Sequence, residues 1–287
     1  MDDQRADAIS TGCHIPFCAL YNRQLIQQDL SHFTEPKRTV KGKGTYRTMP
    51  TYIVTGANRG LGLEFVRQLA KDSSNTIIAT SRTSSTDLAD VKKVASEKTH
   101  FLTCDTGSLD SIKSFVSEVK SQLSGSKIDF LINNAGINTV PEQTALSINP
   151  SDLDEQIRVN VIGPAKTTQF LLEASLLSDS VRIINMSSGL GSMAVSLSIT
   201  PRKCATYSIS KAALCALSVQ QSGEIKEKLK GAVVVAMDPG WVKTRMGGEG
   251  AVLEPEESIG GMLKCIHGLE EKSNGKFFTY TGEEVPW

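Results

Sequence analysis

The chain has 287 residues, 39% of them hydrophobic and 22% charged, with 31 Lys+Arg against 31 Asp+Glu. This is an ordinary globular composition, long enough for one large α/β domain, and its balanced charge offers no pull toward nucleic acid or an anionic membrane. No run of about 18 apolar residues could cross a bilayer, and the opening Met1-Asp-Asp-Gln lacks the basic and apolar pattern of a secretory leader, so a cytoplasmic location is expected.

Residues 1–48 have poor periodicity and include the basic, glycine-broken run Pro36-Lys-Arg-Thr-Val-Lys-Gly-Lys-Gly44. They are expected to form a flexible extension with little core of their own. Met49-Pro50 directly precedes the first strand, so the folded domain is expected over 49–287, with Met49 as an alternative start. Tyr52 to Val54 is a short apolar run suited to a strand buried on both faces. Gly56, Gly60 and Gly62 follow at once, and Leu63, Val66, Leu69 and Ala70 then recur at helical spacing. Strand, glycine turn and helix together aim backbone N–H groups and a helix N-terminus at a phosphate. The spacing is Gly-x-x-x-Gly-x-Gly, and the crest of the turn carries Asn58, Arg59 and Leu61.

Strand and helix then alternate. Thr76–Thr80 and His100–Cys104 read as strands, and Ile112, Phe115, Val116, Val119 and Leu123 make a helical stripe that Gly125 stops. Asp129–Asn133 is a fourth strand, and a long helical pattern covers roughly 153–175 with Pro164 as its kink. Val181–Met186 is a fifth strand, Tyr207 to about Lys230 a helix, and Ala232–Met237 a sixth strand. A helix starts near Glu254-Pro255, and Lys276–Tyr280 closes the sheet. This alternation predicts a single α/β domain built on a doubly wound parallel sheet of about seven strands, with ligands outside the C-terminal strand ends.

The end of the second strand bears on the ligand. A carboxylate about 20 residues after the glycines would hold an adenosine ribose and repel a 2′-phosphate. Here that place reads Thr80-Ser81-Arg82, and Arg82 with Arg59 could clamp such a phosphate instead, which predicts NADPH over NADH. Asn133-Asn-Ala-Gly136 ends the fourth strand, with small residues that let backbone approach a cofactor and Asn side chains that can tie strands together. In Tyr207-Ser-Ile-Ser-Lys211, positions i and i+4 share a helix face, so the Lys ammonium should lower the phenol pKa and fit it for proton exchange with a carbonyl or alcohol. Ser187-Ser188 at the end of the preceding strand supplies a hydroxyl to polarise a substrate oxygen, and strand-end position favours Ser188. Trp241, Met246, Gly247, Gly248 and Gly250 suggest a mobile, partly apolar lid. The six cysteines (13, 18, 104, 204, 215, 265) form no Cys-x-x-Cys and do not cluster with His14, His32, His100 or His267. Reduced thiols and no metal site are expected.

Taken together, Thr55-Gly-Ala-Asn-Arg-Gly-Leu-Gly62, Asn133-Asn-Ala-Gly136, Ser188, Tyr207-x-x-x-Lys211 and Asp238-Pro-Gly-Trp-Val-Lys-Thr244 make the chain from about residue 50 onward resemble the short-chain dehydrogenase/reductase family. Within it, Met49-Pro50 and the ending Asn274-Gly-Lys-Phe-Phe-Thr-Tyr-Thr-Gly-Glu-Glu-Val-Pro-Trp287 look like the C-factor/sniffer-type carbonyl reductases, notably fungal ones. The resemblance implies a Rossmann fold and an NADP(H)-dependent oxidoreductase. Tyr207 would be the general acid, Lys211 would hold the nicotinamide ribose, Ser188 would steady the carbonyl, and Asn160 would hold a proton-relay water. It implies that Asp105 contacts adenine and that Val242 and Thr244 hold the carboxamide, with Pro239 and Gly240 beside them and Gly56, Asn58, Arg59, Gly60, Leu61, Gly62, Arg82, Asn133, Ala135 and Gly136 along the rest of the cofactor. A small-molecule carbonyl or alcohol substrate and a homodimer or homotetramer are expected. The alternatives are a polyketide or secondary-metabolite ketoreductase and a non-catalytic NADP(H)-binding regulator. Eighteen residues separate Ser188 from Tyr207, a longer loop than the family usually carries, and it should border the substrate pocket.

Overall fold

The structure, a computed structural model, describes residues 49–287. The extension expected over 1–48, with Cys13, His14, Cys18 and His32, lies outside the described residues. In chain order the elements are β1 (Thr51–Val54), α1 (Gly60–Leu69), β2 (Thr76–Ser81), α2 (Ala89–Val94), β3 (Thr99–Thr103), α3 (Leu109–Leu123), β4 (Ile128–Asn133) and α4 (Pro150–Ile157). A π turn (Arg158–Ile162) leads into α5 (Gly163–Glu173), followed by β5 (Leu177–Met186), α6 (Met193–Ser196), α7 (Ala205–Lys228), β6 (Val233–Asp238), α8 (Pro255–His267) and β7 (Phe277–Thr279). The seven strands form one sheet in the order β3-β2-β1-β4-β5-β6-β7, and every pairing is parallel.

The apolar runs are explained by burial on both faces. All four residues of β1 are buried. Side chains alternate along a strand, so Val54 packs into the cluster containing Phe65 and Val66 of α1 and Ile259 and Met262 of α8. Ile53 points the other way, into the cluster of Ile112, Phe115 and Val119 from α3 and Leu171 from α5. A parallel sheet needs this double cover, because its crossover helices occupy both sides. The chain builds outward from β1 to β3, returns to β4, and continues to β7, so the topology reverses between β1 and β4. That reversal opens the crevice where the site lies.

Three elements differ from their sequence-based reading. β5 starts at Leu177 rather than Val181, because Ile128 pairs with Leu177 before a register shift brings Phe130 opposite Arg182. α3 stops on Ser124, which takes the left-handed conformation at φ 46° ahead of Gly125. The long helix expected over 153–175 starts at Pro150 and is interrupted by the π turn. Pro164 is the second residue of α5, and the carbonyl its ring crowds, that of Asn160 four residues back, lies in the π turn. Two histidines are satisfied structural groups. Tyr52 stacks on Phe130 with ring centroids 4.6 Å apart and its hydroxyl meets His267 Nε2 at 3.1 Å, and His100 pairs with Gln122.

Phe115 is fully buried in the cluster beneath the sheet. Replacing it with Ala should cost about 3–5 kcal/mol, read as a lowered urea midpoint with an unchanged slope.

Candidate active site

The glycine turn is fastened to both neighbouring strand ends. Ala57 N–H donates to Thr80 O at 2.7 Å and Gly56 N–H to Thr80 Oγ1 at 3.3 Å, which fixes the turn to the end of β2. On the other side, Asn134 Nδ2 donates to Thr55 O at 2.8 Å and to Gly56 O at 3.2 Å, and Ala135 N–H donates to Thr55 Oγ1 at 2.9 Å. Gly56 has φ +65°, a conformation glycine adopts at no steric cost. At Gly62 a Cβ would stand 2.2 Å from Gly56 O and 2.7 Å from Asn134 Nδ2, so no side chain fits. Asn58 is half-buried at the crest, and Leu61 packs against the core. No side chain caps α1 and no acidic residue stands in its first turn, which leaves a positive helix end facing the crevice.

Around that end the charges are positive. Arg59 flanks α1 and Arg82 follows β2 directly; both are exposed. The Arg59 guanidinium pKa is lowered, first by partial burial and then by Arg245 and Arg82, so the three cations share one neighbourhood. None of the three forms an ion pair among the described residues, and no carboxylate ends β2. At the end of β3, Asp105 accepts a hydrogen bond from Gly107 N–H at 2.9 Å.

The second half of the site lies where β4, β5 and α7 meet. Lys211 is 4% exposed and its Nζ donates to Met186 O at 2.7 Å, with Nζ 5.5 Å from the Tyr207 ring centre. Ser188 hydrogen-bonds the Tyr207 side chain and so favours its phenolate. Ser187 turns inward instead, toward Lys211 O at 3.3 Å and Cys215 Sγ at 3.1 Å. Of the two serines, Ser188 is therefore the one beside the phenol. Gly136 lines this corner and leaves it open, because a Cβ there would lie 3.3 Å from Asn160 Oδ1 and 3.4 Å from Lys211 Nζ.

Asn160, fully buried in the π turn, accepts from Ile137 N–H at 2.8 Å and donates to Ile137 O and to Ser210 Oγ, each at 2.9 Å. Ser210 donates in turn to Tyr207 O at 2.7 Å. One turn earlier, Gln156 Nε2 donates to the buried Thr206 Oγ1 at 2.7 Å. These two rungs join α4 and the π turn to the start of α7, and so set the position of Tyr207. Asn133 faces the other way, donating to Asn185 Oδ1 at 2.9 Å and Thr168 Oγ1 at 3.3 Å, which places its side chain in a strand-bridging network.

After β6, Asp238 Oδ1 accepts from Gly240 N–H, Ser258 Oγ donates to Pro239 O, and Val242 is buried against Leu253. The segment read as a mobile lid is internally hydrogen-bonded. Trp241 Nε1 donates to Gly247 O at 2.7 Å, and Gly247 N–H donates to Thr244 Oγ1 at 3.1 Å. Thr244 comes close to the glycine turn, its Cγ2 only 3.7 Å from where a Gly60 Cβ would be. In the 189–206 loop, Ser192 Oγ donates to Pro286 O and Ala194 N–H to Trp287 O, while Cys204, at the start of α7, is near enough to act on the Tyr207 phenol.

The electrostatics differ from the expectation that Lys211 lowers the phenol pKa. Burial raises the Tyr207 pKa, Asp238 and Cys204 add to the rise, and the Ser188 hydrogen bond opposes it. Lys211 is itself pushed down to about 8 by burial. Desolvation is the largest cause for both groups, and Lys211 is not among the groups that shift the phenol. The phenol is thereby held in its acid form, beside an amine that can exchange a proton near neutral pH.

A family model described as short chain dehydrogenase matches residues 50–251. The chain belongs to the short chain dehydrogenase family. Among solved structures, NADPH-bound carbonyl reductase from chicken fatty liver is 35% identical, superposes at a TM-score of 0.75, and the match covers 83% of this chain and 98% of that one. Carbonyl reductase Sniffer of D. melanogaster is 29% identical with a TM-score of 0.73, covering 84% of this chain and 100% of that one. The C-signal protein of Myxococcus xanthus is 35% identical over 161 residues, which are 56% of this chain and 93% of that protein.

In this short chain dehydrogenase, sequence reasoning passed over Arg245, Gln156 and Ser210, and named Asn134 only as one of two asparagines able to tie strands together. Asn134 carried a signal in the tandem asparagines, since strand alternation sends the two side chains to different places. The others need the folded contacts between α4, α7 and the β6 loop.

The Lys211 environment has a stability signature. The unfolded chain keeps this proton up to about 10.5, whereas the folded chain gives it up near 8. Between those values folding expels a proton, so this group makes stability rise with pH. Lys211→Met should flatten that rise, measured as urea midpoints at successive pH values from 8 to 10.5.

Proposed function

We propose that this chain is an NADPH-dependent carbonyl reductase in which Tyr207 is the general acid. The observation that carries this reading is the half-buried, protonated phenol of Tyr207 beside Ser188 and the low-pKa Lys211, across one crevice from a glycine turn flanked by Arg59 and Arg82. The residues fit a phosphorylated dinucleotide. The uncapped start of α1 suits the pyrophosphate, Arg59 and Arg82 suit a 2′-phosphate, and Gly136 keeps open the corner beside Lys211. The similarity to NADPH-bound carbonyl reductase supports the same choice.

When bound, the nicotinamide supplies the hydride. Ser188 donates a hydrogen bond to the substrate carbonyl oxygen and polarises it. Tyr207 then passes its phenolic proton to that oxygen as negative charge develops there. At neutral pH the phenol carries the proton it must give up; burial weakens it as an acid, and the Ser188 hydrogen bond works against that. Lys211 stabilises the tyrosinate so formed and can return a proton to it. Asn160 acts on this chemistry by placing the Ile137 turn and, through Ser210, the first turn of α7.

The substrate is a small or medium-sized ketone or aldehyde, bordered by the 189–206 loop and the β6 loop. No helix among the described residues is long and apolar enough to cross a membrane, and the four described cysteines are free. Both facts agree with a cytoplasmic location. Exposed Ile162 beside α5, and Ile209 and Val219 on α7, give these helices an apolar outer surface on which a homodimer or homotetramer could form.

Two experiments test this reading. Tyr207→Phe should lower turnover of a carbonyl substrate by about 10²–10⁴ while nicotinamide fluorescence still reports NADPH binding; retained turnover removes Tyr207 from the role of acid. Arg82→Ala and Arg59→Ala should each weaken NADPH about tenfold and leave NADH unchanged, as expected for loss of a charge-assisted phosphate contact. Equal wild-type affinity for the two nucleotides would contradict the cofactor assignment.

A further inference from the structure

We propose that Arg245 is a third phosphate-binding arginine, carried on the β6 loop and brought to the dinucleotide opposite Arg59 and Arg82. This inference rests on the NADPH reading above and adds to it a residue from an element that neither the glycine turn nor β2 contains.

The loop after β6 folds back so that Thr244, next to Arg245 in the chain, reaches within ordinary contact of the space above Gly60, the first residue of α1. The loop is held in that place by short-range bonds. Thr244 Oγ1 accepts from Gly247 N–H, Thr244 O from Gly248 N–H at 3.1 Å, and Trp241 Nε1 closes the turn onto Gly247 O. Leu253 N–H bonds to Trp241 O and Lys243 N–H to Leu253 O, so the base of the loop is anchored as well. Arg245 projects from a built turn, not from a free strand of chain.

Lys243, two residues earlier, is neutralised by Glu254, whereas Arg245 has no ion pair among the described residues. Arg245 is also exposed, and close enough to Arg59 to disfavour its charged form, ahead of Arg82 in that effect. Three guanidinium groups from three segments are therefore neighbours near the uncapped start of one helix, and no acidic group is among those that act on Arg59. Like charges so arranged repel one another, and an anion seated among them removes that repulsion while gaining forked hydrogen bonds. A phosphate of the dinucleotide is the group of matching charge and geometry, either the 2′-phosphate or the pyrophosphate. Seating it ties the β6 loop, which borders the substrate space, to the occupied cofactor crevice.

The test is a fluorescence titration of the full chain with NADPH and with NADH, and a competition series with 2′,5′-ADP and ADP. Arg245→Ala is exposed and leaves the packing of the loop intact, so it should fold as the wild type does. It should weaken NADPH about tenfold or more, the worth of one charge-assisted contact. Arg245→Lys should recover only part of this, because an ammonium cannot reproduce the fork. Loss confined to NADPH and 2′,5′-ADP assigns the 2′-phosphate, and loss shared by NADH and ADP assigns the pyrophosphate; either supports the proposal. Lys243→Ala removes an equal charge from the same loop and should change little. Unchanged affinity in Arg245→Ala while the wild type binds, or an equal loss in Lys243→Ala, overturns it. A wild type that binds neither dinucleotide overturns the NADPH reading beneath it.

Discussion

The structure depends on how the first and fourth strands are joined at their C-terminal ends. The crevice exists because the sheet reverses between them, but reversal alone would leave two loose loops. Asn134 prevents this with one amide, which satisfies the carbonyls of Thr55 and Gly56 together, while Thr55 answers by accepting the Ala135 N–H. Leaving either carbonyl unpaired in such a place would cost about 1–3 kcal/mol. With the two strand exits locked, α1 can pack against the turn through Gly62 and present its first N–H groups to the crevice.

The catalytic side is held by a different device. Apolar packing fixes how far α7 stands from the sheet but does little to fix its rotation, whereas buried hydrogen bonds are directional. Gln156 to Thr206 and Asn160 to Ser210 bracket Tyr207 from one side, and Lys211 to Met186 O ties the next turn to the end of β5. Further along, Asn185 donates to Ser218 Oγ and Gln221 Oε1, continuing the same seam. A buried polar network of this kind stabilises modestly overall and is sensitive to loss of a single member.

Much of this was legible in the chain. The run at 52–54 read as a strand covered on both faces and those at 76–80 and 129–133 as strands, and the sheet has the seven parallel strands their alternation implies. The pairing of Tyr207 with Lys211, and the missing carboxylate before Arg82, follow from spacing alone. What was not legible depends on three-dimensional burial. Spacing places Lys211 near Tyr207, but only the folded environment shows that desolvation governs both groups. The tandem Asn133-Asn134 could not be sorted until the strand end was fixed, and Arg245 lies far in sequence from the two arginines it joins. Pro164 marked the irregularity, which falls on the turn before it, where the carbonyl its ring crowds lies.

That irregularity has a consequence for what the chain can tolerate. In the π turn the Gly163 N–H reaches back to Arg158 O, five residues rather than four. Such a turn is equivalent to one residue inserted into a continuous α-helix. Removing one residue between 158 and 162 would restore regular winding and leave the facing of α5 nearly unchanged, because five residues of the wide turn cover about the same rotation as four of an α-helix. Thr168 would stay beside Asn133, but Asn160 would lose the widened backbone from which its side chain reaches Ile137 and Ser210. A one-residue deletion here would thus yield a better helix and a worse protein, which makes the length of this segment as constrained as its composition.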